Sequence, residues 1–143
     1  MTWHPFCVAV RVACMKKIHK TGKRVLLVED DRGFREMLGA ILRTESYSVI
    51  EANNGAEALG LFREGPFDLV MLDLGLPFLK GDELAVRIRQ MVPRQPILML
   101  TGYAATPGVR CPVDALLRKP VDFPQLRGVM ADLLAESETR VAV

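Results

Sequence analysis

Phe67-Asp68-Leu69-Val70-Met71-Leu72-Asp73, followed by a turn holding Pro77 and Gly81, is the stretch that decides the fold. It is an apolar run ending in a carboxylate. Runs of this kind, set between helical patterns, read as strands buried on both faces of a parallel sheet. Three more runs share the pattern. Val25-Leu26-Leu27-Val28 ends in Glu29-Asp30-Asp31, and Pro96-Ile97-Leu98-Met99-Leu100 ends in Thr101-Gly102. Val113 to Leu117 leads into Arg118-Lys119-Pro120. In an open parallel α/β sheet all carboxyl ends lie on one edge, and sites form there. Acids, a hydroxyl and a lysine therefore collect at that edge. The set suits a divalent cation and a phosphoryl group.

Working outward, strands and helices alternate from Arg24. The pattern predicts strands over 24–29, 47–52, 67–72, 96–101 and 113–117. Helix one is expected over 32–45, with Phe34, Met37, Leu38, Ile41 and Leu42 forming an apolar stripe at helical spacing. Asn54 reads as an N-cap, with Glu57 completing a capping box. That helix spans 55–64 and stops at Gly65-Pro66. The third helix covers 82–91, with Leu84, Ile88 and Met91 facing inward. The last starts at Asp122 and runs to 136, burying Phe123, Leu126, Val129, Met130, Leu133 and Leu134. Pro124 is tolerated in its first turn. Five strands with intervening helices imply a doubly wound five-stranded parallel sheet of the α/β class.

The 143 residues fit one domain. Half are apolar and a quarter charged, as in ordinary globular chains. No stretch approaches a membrane span. Three cysteines (Cys7, Cys14, Cys111) without C-x-x-C spacing suggest neither disulfides nor zinc, and favour a cytoplasmic setting. The net charge of +2 hides an asymmetry: residues 1–24 carry six basic residues and no acid, leaving 13 basic against 17 acidic residues. Residues 1–22 are expected to be a basic, loosely ordered N-terminal extension, 23–137 the domain, and 138–143 a C-terminal tail. Met15 is an alternative start, and an arm touching membrane or nucleic acid is the sharper reading of the extension.

Magnesium prefers oxygen ligands and takes one or two carboxylates beside phosphate oxygens. Glu29, Asp30 and Asp73 could supply them. Singly, Asp30 or Asp31 would serve as a helix cap, and Asp73 would satisfy turn amides. Gathered at neighbouring strand ends, the acids repel one another unless a cation sits among them. Thr101 could donate to a phosphoryl oxygen. Lys119 could pair with Asp73 when the site is empty and with phosphate when it is filled.

Residues 24–136 resemble the receiver domain of two-component response regulators. The matching stretches are Val25 to Asp31, Asp73-Leu74-Gly75-Leu76-Pro77 with Lys80-Gly81 after it, Leu100-Thr101-Gly102-Tyr103, and Arg118-Lys119-Pro120. The resemblance implies a flavodoxin-like sheet order of 2-1-3-4-5. It implies that Asp73 is the phosphoacceptor, with Thr101 and Lys119 holding phosphoryl oxygens, helped by the amides of Gly75 and Gly102. Mg2+ would be bound by Asp30, Asp73 and the backbone carbonyl of Gly75, with Glu29 acting through water. The Lys119–Pro120 bond would be cis. The domain would be a phosphoacceptor rather than an enzyme, catalysing at most its own phosphorylation and dephosphorylation. Both histidines, His4 and His19, fall in the extension. The donor is therefore expected to be a sensor histidine kinase or a histidine phosphotransfer protein.

Two positions depart from the family pattern. Leu116 stands three residues before the lysine, where the family has the aromatic residue that reports phosphorylation. Tyr103 follows the threonine by two, where the family tunes access to the phosphoryl group. Spacing departs too: Lys119 comes 18 positions after Thr101, about one helical turn short of the family's usual interval. Pro107, Gly108 and Pro112 fall within it, so the family's fourth helix is expected to be short or absent. The leading expectation is a stand-alone response regulator with no attached DNA-binding domain, signalling by partner binding or phosphorelay. The alternative is a receiver-fold adaptor that works without phosphorylation, through an altered output face. A flavin-binding electron carrier on the same topology would need a hydroxyl-rich loop after strand one. The acids there would repel its phosphate.

Overall fold

A computed structural model describes residues 22–102 and 112–141. Five parallel strands form one sheet in the order β2-β1-β3-β4-β5, where β1 is Arg24–Val28, β2 Ser48–Ala52, β3 Leu69–Asp73, β4 Ile97–Thr101 and β5 Ala115–Arg118. Among the described residues there are four helices: α1 Arg32–Thr44, α2 Gly55–Glu64, α3 Gly81–Met91 and α4 Phe123–Val141. The doubly wound fold and the strand order are those expected. Residues 103–111, which carry most of the stretch expected to shorten or lose a helix and also Tyr103, lie outside the described residues, as do 1–21.

Side chains in a strand alternate between faces, and the core divides accordingly. Leu26, Val28, Val70, Leu72, Ile97 and Met99 pack with α2 and α3 through Leu59, Phe62, Leu84 and Ile88. Val25, Leu27, Leu69, Met71, Leu98 and Leu100 pack with α1 and α4 through Leu38, Leu42, Leu126 and Met130. β3 and β4 are buried at every residue, which is why they lack polar alternation. Each buried Leu or Ile contributes roughly 1.5–3 kcal/mol from apolar burial. This core fixes the strand register, with Val28 beside Leu72 and Asp73 beside Leu100.

Several boundaries moved for local reasons. β3 begins at Leu69, and Asp68 just before it clasps the start of β1: its carboxylate accepts from the Arg24 amide at 2.8 Å while its own amide donates to the Arg24 carbonyl. The last helix runs to Val141, through most of the 138–143 stretch read as a tail. Nothing between Glu136 and Val141 breaks a helix, and Glu138 pairs with Lys23 at 2.6 Å. Met37 and Met91 are exposed rather than inward. Asn54 caps α2 as expected, accepting from the Glu57 amide at 2.8 Å. The returning Glu57 carboxylate takes the Asn53 amide instead of the cap's own.

Candidate functional site

The carboxyl ends of β1, β3, β4 and β5 place Glu29, Asp73, Thr101 and Lys119 together. Glu29 follows the last residue of β1 and is 1% exposed, with its amide donating to the Ala52 carbonyl. Asp73 closes β3 and is buried. Thr101 closes β4 and is buried; its carbonyl accepts from the Lys119 amide at 2.7 Å, tying the two strand ends. The Lys119–Pro120 peptide is cis.

Asp31 is the helix cap: its Oδ1 accepts from the Phe34 amide at 2.8 Å. That leaves Asp30 exposed beside the other acids rather than committed to α1. Carboxylate oxygens of Glu29, Asp30 and Asp73 lie within 4.8 Å of one another. Hard oxygen donors at this separation suit a small divalent cation. Gly75 belongs to the same rim, since a Cβ there would stand 3.7 Å from Asp73 Oδ2.

Lys119 bridges the cluster. Its Nζ donates to Glu29 Oε2 at 2.7 Å and lies 3.5 Å from Asp73 Oδ2. Sequence reasoning paired the lysine with Asp73, but Glu29 is its shorter contact. Burial of Glu29 pushes its carboxyl up to about 7, with the neighbouring Asp73 charge adding to the rise and the Lys119 ion pair opposing it. Burial pulls the Lys119 ammonium down, but its contacts with Glu29 and Asp73 win and raise it. A buried acid that resists ionising beside two other acids is one that an added cation would relieve.

Three supporting residues escaped the sequence reading of the site. Arg35 on α1 donates to the Glu29 carbonyl at 2.8 Å, fixing the backbone that leads into Asp30. The Phe34 ring faces Lys119, whose Nζ is 4.5 Å from the ring centroid. Gly81 opens α3 against the backbone of Asp73 and Leu74, where a Cβ would sit 2.2 Å from the Asp73 carbonyl oxygen. Only glycine fits that approach. Lys80-Gly81 was visible as a motif, but the close approach was not. Leu116 is exposed on β5, and so holds no buried aromatic switch.

The response regulator receiver domain, as a sequence family, matches residues 25–131. The chain belongs to this family. As a receiver domain of two-component systems it is 39% identical over 102 residues to the response regulator receiver protein CpdR of Brucella abortus, covering 68% of this chain and 85% of that protein. It is 35% identical over 117 residues to the transcriptional regulatory protein GlrR of Escherichia coli K12, covering 79% of this chain. The receiver spans only 26% of GlrR, so it matches about a quarter of the length of such curated relatives. Among solved structures it resembles the response regulator TrrA of Thermotoga maritima in complex with Mg(2+)-BeF, at 34% identity and a TM-score of 0.73, covering 78% of this chain and 98% of that one. TrrA is also known in complex with the histidine kinase ThkA, where the TM-score is 0.72 at 35% identity. Among the described residues no helix is long and apolar enough to cross a membrane.

Proposed function

We propose that Asp73 of this receiver domain accepts a phosphoryl group from a phosphohistidine on a partner protein, with Mg2+ held by Glu29, Asp30, Asp73 and the backbone carbonyl of Gly75. The observation that carries this reading is the grouping of a buried strand-end carboxylate with two more acids within 4.8 Å and a lysine ammonium 3.5 Å away. TrrA supports it twice, through its complex with Mg(2+)-BeF and its complex with a histidine kinase. The cysteine pattern supports a reducing cytoplasm as the setting.

In the step itself an Asp73 oxygen bonds to phosphorus while the P–N bond of the donor breaks. The bonding pair stays on the imidazole nitrogen, which takes up a proton. The domain contributes positioning and charge rather than covalent intermediates of its own. Lys119 carries the positive charge that faces the transferred oxygens, and the Thr101 hydroxyl donates to one of them. Bound magnesium would supply the remaining charge neutralisation. Gly81 and Arg35 hold the Asp73 and Glu29 backbones so that little reorganises during transfer. Because these groups belong to the receiver, it would promote its own phosphorylation from small donors.

Incubation with acetyl phosphate and magnesium, followed by intact mass measurement, tests this directly. The parent protein should gain one phosphoryl mass, and Asp73→Asn should gain none while keeping its circular dichroism. No gain by the folded parent protein would favour the phosphorylation-independent adaptor instead.

A further inference from the structure

Phe34 lies 85 positions before Lys119 in the chain, yet its ring supports the lysine's ammonium at 4.5 Å. A short circuit of contacts holds the two in register. The Phe34 amide donates to Asp31 Oδ1 at 2.8 Å, and the Asp31 amide donates to Glu29 Oε1 at 3.2 Å. Lys119 closes the circuit on Glu29 Oε2 at 2.7 Å. The ring also packs on the core cluster formed with α1 and α4, so it does not swing freely.

Glu29 is claimed twice. It is the lysine's shortest anion contact, and it belongs to the acid cluster suited to a cation. A divalent cation drawing on Glu29 weakens the contact that holds Lys119. The Asp73 carboxylate, at 3.5 Å, is then claimed by the same cation. The ring face is not. An aromatic face attracts an ammonium through its quadrupole, most strongly where water is excluded. We propose that Phe34 is a positioning residue for Lys119, its ring keeping the ammonium directed at Asp73 once a cation engages Glu29. This rests on the phosphoacceptor reading of Asp73. It assigns to α1 a part that an aliphatic residue of similar bulk would not perform.

The test compares the parent protein with Phe34→Leu and Phe34→Tyr in two measurements. The first is the NMR shift of the Lys119 ε-methylene protons with magnesium alone, where a ring held against the ammonium moves them upfield. The second is affinity for beryllofluoride in magnesium. The upfield shift should persist in magnesium for the parent and the Tyr variant and vanish in the Leu variant. Beryllofluoride affinity should fall about three- to tenfold in the Leu variant and return in the Tyr variant. A parent shift that collapses when magnesium is added would overturn the proposal. So would a Leu variant that binds beryllofluoride as tightly as the parent. If Phe34→Leu does not fold, Phe34→Met replaces it, similar in bulk and lacking the ring. Should the parent bind no beryllofluoride at all, the phosphoacceptor reading falls and takes this inference with it. Parent binding with an unaffected Leu variant overturns this inference alone.

Discussion

Glu29 links the site's charge to pH. Its folded carboxyl is pushed up to about 7 from an ordinary value of 4.5, mainly by burial. A raised folded value means that the folded chain binds more protons than the unfolded chain between these two pH values. The group's contribution to stability is therefore complete below 4.5 and is lost as pH rises through 7. Urea midpoints of the metal-free protein at pH 5 and pH 8 should show this fall, on the order of 1–3 kcal/mol. Glu29→Gln should remove most of that slope, and parallel profiles for the two proteins would disprove it. Phe78 offers a different test. It is fully exposed with φ 64°, a left-handed conformation that costs a side chain about 1–2 kcal/mol. Phe78→Asn should stabilise the fold by roughly 0.5–1 kcal/mol, because Asn tolerates this region and no packing is lost. A lower urea midpoint would show that the ring is held by something else. At this scale the acids were legible, since each ends an apolar run. The Glu29–Lys119 and Phe34–Lys119 contacts were not, because they form only when the fold brings the ends of β1 and β5 and the start of α1 together.

Elements were legible where the pattern was strong and the ends carried a signal. α2 is bounded as read because Asn54 caps it and Gly65-Pro66 stops it. β3 and β4 were plain because burial on both faces leaves no polar alternation to confuse with a helix. β5 was placed early, over 113–117, because Val113 is apolar. Asp114 instead spends its carboxylate on the Ile97 amide at 2.8 Å and on Arg89 at 2.6 Å, and pairing begins at Ala115. The far end of α4 carried no stop signal, and its extension came from a partner outside the local sequence, Lys23. The start of α3 matters most for the site. Gly81→Ala would drive a Cβ to 2.2 Å from the Asp73 carbonyl oxygen. Either α3 or the β3 end must shift, at about 1–3 kcal/mol. Phosphoryl uptake from acetyl phosphate should drop with it, more than in an equally destabilised core variant such as Val70→Ala. Equal uptake at matched stability would show that α3 can retreat without disturbing Asp73.

At the scale of the whole molecule, the sheet brings four separate strand ends to one edge, and the mutual repulsion there opposes folding. Glu29, Asp30 and Asp73 gather their oxygens within 4.8 Å, with the Lys119 ammonium as the offsetting charge on the cluster among the described residues. The doubly wound architecture was legible in the alternation of strands and helices, whereas the order of the strands came from the family resemblance. The cost of assembling the acids was legible only in sign. A cation that binds the folded state alone stabilises it by linkage, about 2.7 kcal/mol at a hundredfold excess over Kd. For a domain of this size that corresponds to roughly 5–10 °C in Tm. Millimolar magnesium should therefore raise the melting temperature, and sodium at matched ionic strength should not. Asp30→Asn should separate the two effects. Asp30 is exposed and caps no helix, so its neutralisation removes repulsion without breaking a buried contact. The variant should melt higher than the parent in EDTA and gain less on adding magnesium, so that the two curves converge or cross as the metal rises. A variant that melts lower in EDTA would mean that Asp30 stabilises the metal-free edge. An unchanged magnesium response would remove Asp30 from the cation's ligands.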